Sequence, residues 1–110
     1  MPRRLLPDPL ALAVGRRIRQ LREAAGLTLE KLAYESELGS KGHLSNIEKG
    51  LVRPTINTLK VLADGLGVLL ADLVTFPADG DRERLIDASR ASSPRVLRRL
   101  LRELGEHRKE

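Results

Sequence analysis

Two short stretches with helical apolar spacing, separated by a glycine-containing break, constrain this chain more than any other feature. They are Thr28-Leu29-Glu30-Lys31-Leu32-Ala33 and Ser40-Lys41-Gly42-His43-Leu44-Ser45-Asn46-Ile47-Glu48-Lys49-Gly50. Each opens on a hydroxyl residue that can accept from the free amides of a first helical turn. In the second stretch Leu44 and Ile47 define an inner face. Lys41, Gly42, Ser45 and Asn46 remain on the outside, a small, polar and basic set suited to the major groove of duplex DNA.

The same spacing rules organise the rest of the chain. Residues 1–8 read as a flexible basic arm carrying Arg3 and Arg4, a pair that could enter a minor groove. Asp8 caps a helix with Pro9 at its first position. Its apolar stripe is Leu10, Val14, Ile18 and Leu21, and Gly26 ends it. Thr28 caps a second helix to about Ser36. Glu37-Leu38-Gly39 turns the chain, Ser40 caps a third helix, and Gly50 stops that one. After the Arg53-Pro54 loop, Thr55 caps a fourth helix with Ile56, Leu59, Leu62, Ala63 and Leu66 expected inside. Val68 to Val74 closes the bundle as a short fifth helix. These elements define a domain over residues 9–75, followed by a linker over residues 76–81. Residues 82–110 form a helical tail, broken at Ser92-Ser93-Pro94.

No strand pattern occurs, so the expected fold is all-α. A length of 110 residues allows one domain with a short appendage. The net charge of +5 favours a polyanionic partner. That charge is shared: residues 1–80 carry 11 basic and 9 acidic side chains, residues 81–110 carry 9 and 6. Tyr34 and Phe76 are the only aromatic residues, which disfavours single-strand and RNA binding by base stacking. The chain has no cysteine, and His43 and His107 lie far apart, so neither a metal site nor a cofactor is expected. No apolar run is long enough to span a bilayer and the N-terminus does not read as a signal peptide, which implies a cytoplasmic, nucleoid-associated protein. No nucleophile set or phosphate-cradling glycine loop is present, and an enzyme is not expected. A bundle this small is also expected to leave little room for an effector pocket.

Ile18-x-x-Leu21-Arg22-x-x-x-x-Gly26-Leu27-Thr28, Leu32-Ala33, Leu44-Ser45-x-Ile47-Glu48-x-Gly50, Pro54-Thr55-x-x-x-Leu59 and Leu66-x-Val68 follow one another in order. In that order and spacing, residues 14–74 resemble the phage-repressor (Cro/XRE-type) helix-turn-helix domain. The resemblance implies a five-helix, lambda-repressor-like bundle in a bacterial transcription regulator. It also implies that Arg22 and Glu48 pair and orient the third helix. Two departures stand out. Leu29 occupies a position where the family often has a phosphate-binding glutamine. The turn is one residue longer, with the family's glycine replaced by Glu37 and Gly39 inserted.

The expected base-contacting residues are Lys41, Gly42, Ser45 and Asn46, with His43 between the base-facing and inner positions. Lysine can donate to guanine and asparagine can pair with adenine. Thr28 and Ser40 are caps whose helix ends also present amides to phosphate. The resemblance adds Lys49, Arg53, Thr55 and Asn57 around the following loop, and Arg16 and Arg17 near the first helix, as backbone contacts. In the tail, Leu85, Ile86, Val96, Leu97, Leu100, Leu101 and Leu104 exceed what two short helices can bury between themselves. They point to a homodimer, which would set two reading helices on successive major grooves of an inverted repeat. The expected function is repression by such a dimer. The other reading is an antitoxin-like or adaptor module whose tail binds another protein.

Overall fold

The computed structural model describes residues 6–105. The chain divides at Phe76 and Pro77 into two compact units. Within the first, α1 (Pro9–Ala24), α2 (Leu29–Glu35), α3 (Lys41–Glu48), α4 (Ile56–Leu66) and α5 (Leu70–Leu73) follow in order. The second holds a single 3-10 turn (Pro77–Asp79), α6 (Asp81–Arg90) and α7 (Pro94–Glu103). The described residues contain no strand.

Helix starts follow the capping residues. The side chains of Asp8, Thr28, Ser40, Thr55 and Ser93 accept from the amides of Ala11, Lys31, His43, Thr58 and Val96. Each such cap contributes about 1 kcal/mol. Leu69, before α5, offers no side-chain acceptor; instead its amide donates to Asp72 Oδ2 at 2.9 Å.

The core of the first unit is built on Ile18, Leu32, Leu44, Ile47, Leu62 and Leu73, all fully buried. Each contributes about 1.5–3 kcal/mol of apolar burial. α1 and α3 cross closely at Gly15. A Cβ there would lie 2.3 Å from the carbonyl oxygen of Ile47, so no other residue fits without moving backbone. Phe76 packs against this core, which extends the bundle one residue into the expected linker.

The structure corrects three core assignments. Leu10 is exposed, and its neighbour Ala11 is buried in its place. Ile56 is 74% exposed: it is the first residue of α4, where side chains lean back toward the loop and away from the core. The fifth helix is shorter than expected, and Leu69 and Val74 at its margins are exposed. The bundle also has more room than expected. An open apolar cleft of about 590 Å³ lies among Leu10, Ala11, Val14, Leu59, Val74 and Phe76.

Candidate nucleic-acid interface

α3 is locked in position from beneath. Arg22 on α1 donates from Nε to Glu48 Oε2 at 2.8 Å and from Nη2 to Glu48 Oε1 at 3.1 Å. Its Nη1 donates to the carbonyl of Leu27 at 2.8 Å, which fixes the chain entering α2. Both partners are buried. Donation to the Glu48 carboxylate, reinforced by its charge, holds the Arg22 guanidinium's pKa above its ordinary value against the cost of burial. A two-pronged, desolvated pair of this kind fixes orientation as well as distance.

With Leu44, Ile47 and Glu48 buried, the remaining face of α3 is set by helical geometry. Lys41 and Gly42 are exposed at its start, and His43, Ser45 and Asn46 are half-buried along it. The Cβ position of Gly42 meets only Ser40 Oγ at 3.8 Å, so the helix is open to close approach there. Lys41 Nζ lies 3.0 Å from Glu30 Oε1, an exposed pair that either partner can leave at little cost. Lys49, at the far end, is exposed and has no carboxylate partner among the described residues.

The elements bordering α3 add polar groups. Thr28, Ser40 and Thr55 sit exposed at the starts of α2, α3 and α4, where amides of the first turn face outward. Asn57, the second residue of α4, is exposed. Arg53 is exposed and bonds Asp8 Oδ1 at 2.9 Å, tying the loop to the start of α1.

Arg17 does not belong to this surface. It is 3% exposed, and its Nε donates to the carbonyl of Asp72 at 2.8 Å while Nη1 donates to Gln20 at 2.9 Å. Its work is to join α1 to α5. Arg16 next to it is exposed. Arg3, Arg4 and His107 lie outside the described residues.

Two features of this surface escaped the sequence. Glu30 and Tyr34 border, with Ser40 and Lys41, a shallow depression between α2 and α3, and Tyr34 is 79% exposed. Ile56 presents an apolar side chain beside Thr55 and Asn57. The signal for Tyr34 was a lone aromatic at an outward helical position. Leu29, where the family often has glutamine, packs against the core. The longer turn takes two left-handed residues, Glu37 (φ 57°) and Gly39 (φ 82°).

In the tail, no residue of α6 or α7 is buried. Val96, Leu97 and Leu100 are half-buried, and Leu85, Ile86, Leu101 and Leu104 are exposed. No helix among the described residues is long and apolar enough to cross a membrane. No cluster of histidine and carboxylate side chains among them could hold a metal ion.

Comparison with known proteins agrees with this geometry. The helix-turn-helix domain family matches residues 13–76. The control protein C.BamHI of Bacillus amyloliquefaciens is 30% identical over 72% of this chain and 98% of its own length. An uncharacterised helix-turn-helix-type transcriptional regulator of Sinorhizobium fredii is 42% identical over 60% of this chain and 83% of its own. Among solved structures, the restriction-modification controller protein C.AhdI of Aeromonas hydrophila superposes with a TM-score of 0.58 at 29% identity, covering 60% of this chain and 98% of that one. With the capped α2–turn–α3 unit, its open outer face and these relatives, the chain belongs to the Cro/XRE-type helix-turn-helix family of DNA-binding transcription regulators.

Proposed function

We propose that this protein is a repressor that binds an inverted-repeat operator as a homodimer and reads each half-site with α3. The observation that carries this reading is the division of α3 into two faces. Leu44, Ile47 and Glu48 are anchored in the bundle, while Lys41, Gly42, Ser45 and Asn46, with His43 beside them, form a face narrow enough for a major groove. In this reading Thr28, Ser40, Lys49, Arg53, Thr55 and Asn57 grip phosphates on either side and set the register. Occupying a promoter-overlapping site then excludes polymerase.

The leucines of α7, with Leu85 and Ile86, supply the dimer contact in this account. One half-site gives too few base contacts for specificity, and two-fold pairing doubles them. The leucine stripe also suits a different partner protein, as in an antitoxin or adaptor. Sedimentation separates the two: a dimer that survives dilution supports the repressor, and a monomer supports the adaptor.

The test begins with selection of binding sites from a pool of random duplexes. The expected outcome is an inverted repeat with half-sites about one helical turn apart. Asn46→Ala and Lys41→Ala should each relax the preference at one base pair per half-site, by roughly 1–3 kcal/mol. Variants that keep the wild-type preference at every position would refute the assignment of α3.

A further inference from the structure

We propose that the outer face of α7 is a second DNA-binding surface, one that holds the phosphate backbone without reading base sequence. The proposal rests on the bundle binding duplex DNA. It concerns a part of the chain that the family match, ending at Phe76, does not reach.

Position along the helix separates α7 into two faces. At 100° per residue, Val96, Leu97, Leu100, Leu101 and Leu104 fall on one side, and Arg95, Arg98, Arg99 and Arg102 on the other. All four arginines are exposed. A second copy meeting the leucine side would leave the arginine side open.

These arginines differ from most other cations of the chain. Arg19, Lys31, Lys41, Arg53 and Lys60 each face a carboxylate, as does buried Arg22. In α6, Arg84 pairs with Asp81 and Arg90 with Asp87. No ion pair is found among the described residues for Arg95, Arg98, Arg99 or Arg102; Arg16, Lys49 and Arg82 are the only other such cations, and they are scattered. Glu103 is the one acidic residue of α7. Four positive charges therefore lie along about 10 Å of helix. Duplex DNA presents one negative charge per about 1.7 Å of its axis, a linear density that such a face complements. Guanidinium groups also suit phosphate, because their planar fork donates two parallel hydrogen bonds.

An anionic lipid surface is the competing polyanion, but an interfacial helix buries its apolar side in the bilayer, and in the dimer of the proposed function the leucine side of α7 is already covered. Its arginines are also tethered to a domain that binds DNA, which raises their effective concentration near a duplex.

The test uses the full chain and a random-sequence 30-base-pair duplex, with affinity followed from low to physiological salt. A variant with Arg95, Arg98, Arg99 and Arg102 all changed to Gln should lower the slope of log affinity against log salt by about 2 or more. It should also weaken binding roughly tenfold at physiological salt. Changing the same four residues to Lys should restore most of the slope, and sedimentation should match the wild type in both variants. A wild-type slope in the Gln variant, with Lys49→Gln lowering it, overturns this proposal and leaves the bundle's DNA binding intact. Loss of binding to phosphatidylglycerol vesicles with no change on the duplex overturns it in favour of a lipid surface. A wild-type chain that binds no duplex at low salt removes the reading of the bundle itself, and this proposal with it.

Discussion

Arg22 and Glu48 are the residues on which the placement of α3 depends. Removing either leaves the other buried and unpaired, so Arg22→Ala or Glu48→Ala should cost about 3–5 kcal/mol in urea unfolding. The double change to Met and Leu should cost less than either, since no lone charge then remains. The raised proton affinity of Arg22 gives a stabilising contribution that is fully present at any pH below the ordinary arginine value. It is lost only as pH climbs through the raised one, so this residue adds no pH dependence near neutrality. Glu37 is the opposite case. It holds φ 57°, a left-handed conformation costly for a residue with a Cβ. Glu37→Gly should therefore raise stability by about 1 kcal/mol, measured as a higher urea midpoint with an unchanged slope.

At the scale of the element, two glycines on facing helices do opposite things. Gly15 lets α1 sit against the backbone of α3, and Gly15→Ala should cost several kcal/mol, because its Cβ would meet carbonyl oxygens of Ile47 and Glu48 rather than a movable side chain. Gly42 meets nothing closer than 3.8 Å. Gly42→Ala should leave the protein as stable or up to about 1 kcal/mol more so, because alanine favours helix. Its affinity for selected operator DNA should nonetheless fall. Thermal melts and binding isotherms on the same samples check both halves, and an affinity equal to wild type would show that α3 does not approach DNA at this residue. Arg17 shows the limit of reasoning from one element. Lying between apolar positions in a strongly basic run of α1, it read as a surface cation, yet the carbonyl of Asp72 in α5 draws it inside.

For the whole molecule, the division at Phe76 has a direct consequence. The first unit contains the whole buried core, so a chain ending after Phe76 should fold with a cooperative melt. Under the proposed function it should sediment as a monomer at concentrations where the full chain is a dimer, and it should bind operator DNA weakly. A truncated chain that still dimerises would move the interface into the bundle, where the apolar cleft beside Leu10 and Val74 is an uncovered surface.

The sequence by itself determined the helices and most of their ends, the short α5 excepted. Caps, glycine stops and apolar spacing are local properties, and Asp8, Thr28, Ser40, Thr55 and Ser93 all cap where local chemistry places them. Family resemblance added the Arg22–Glu48 pair, a contact across 26 residues that spacing alone does not reveal. Only the tertiary structure decided which members of an apolar stripe are covered. Leu10 and Ile56 continue their helical patterns but sit at helix starts, where neighbouring elements leave them uncovered. Tertiary structure also decided which cations remain available: burial of Arg17 and pairing of Arg53 depend on where α5 and Asp8 come to lie. Periodicity records the direction in which a side chain leaves its own helix, whereas burial and charge pairing depend on what another part of the chain brings to meet it.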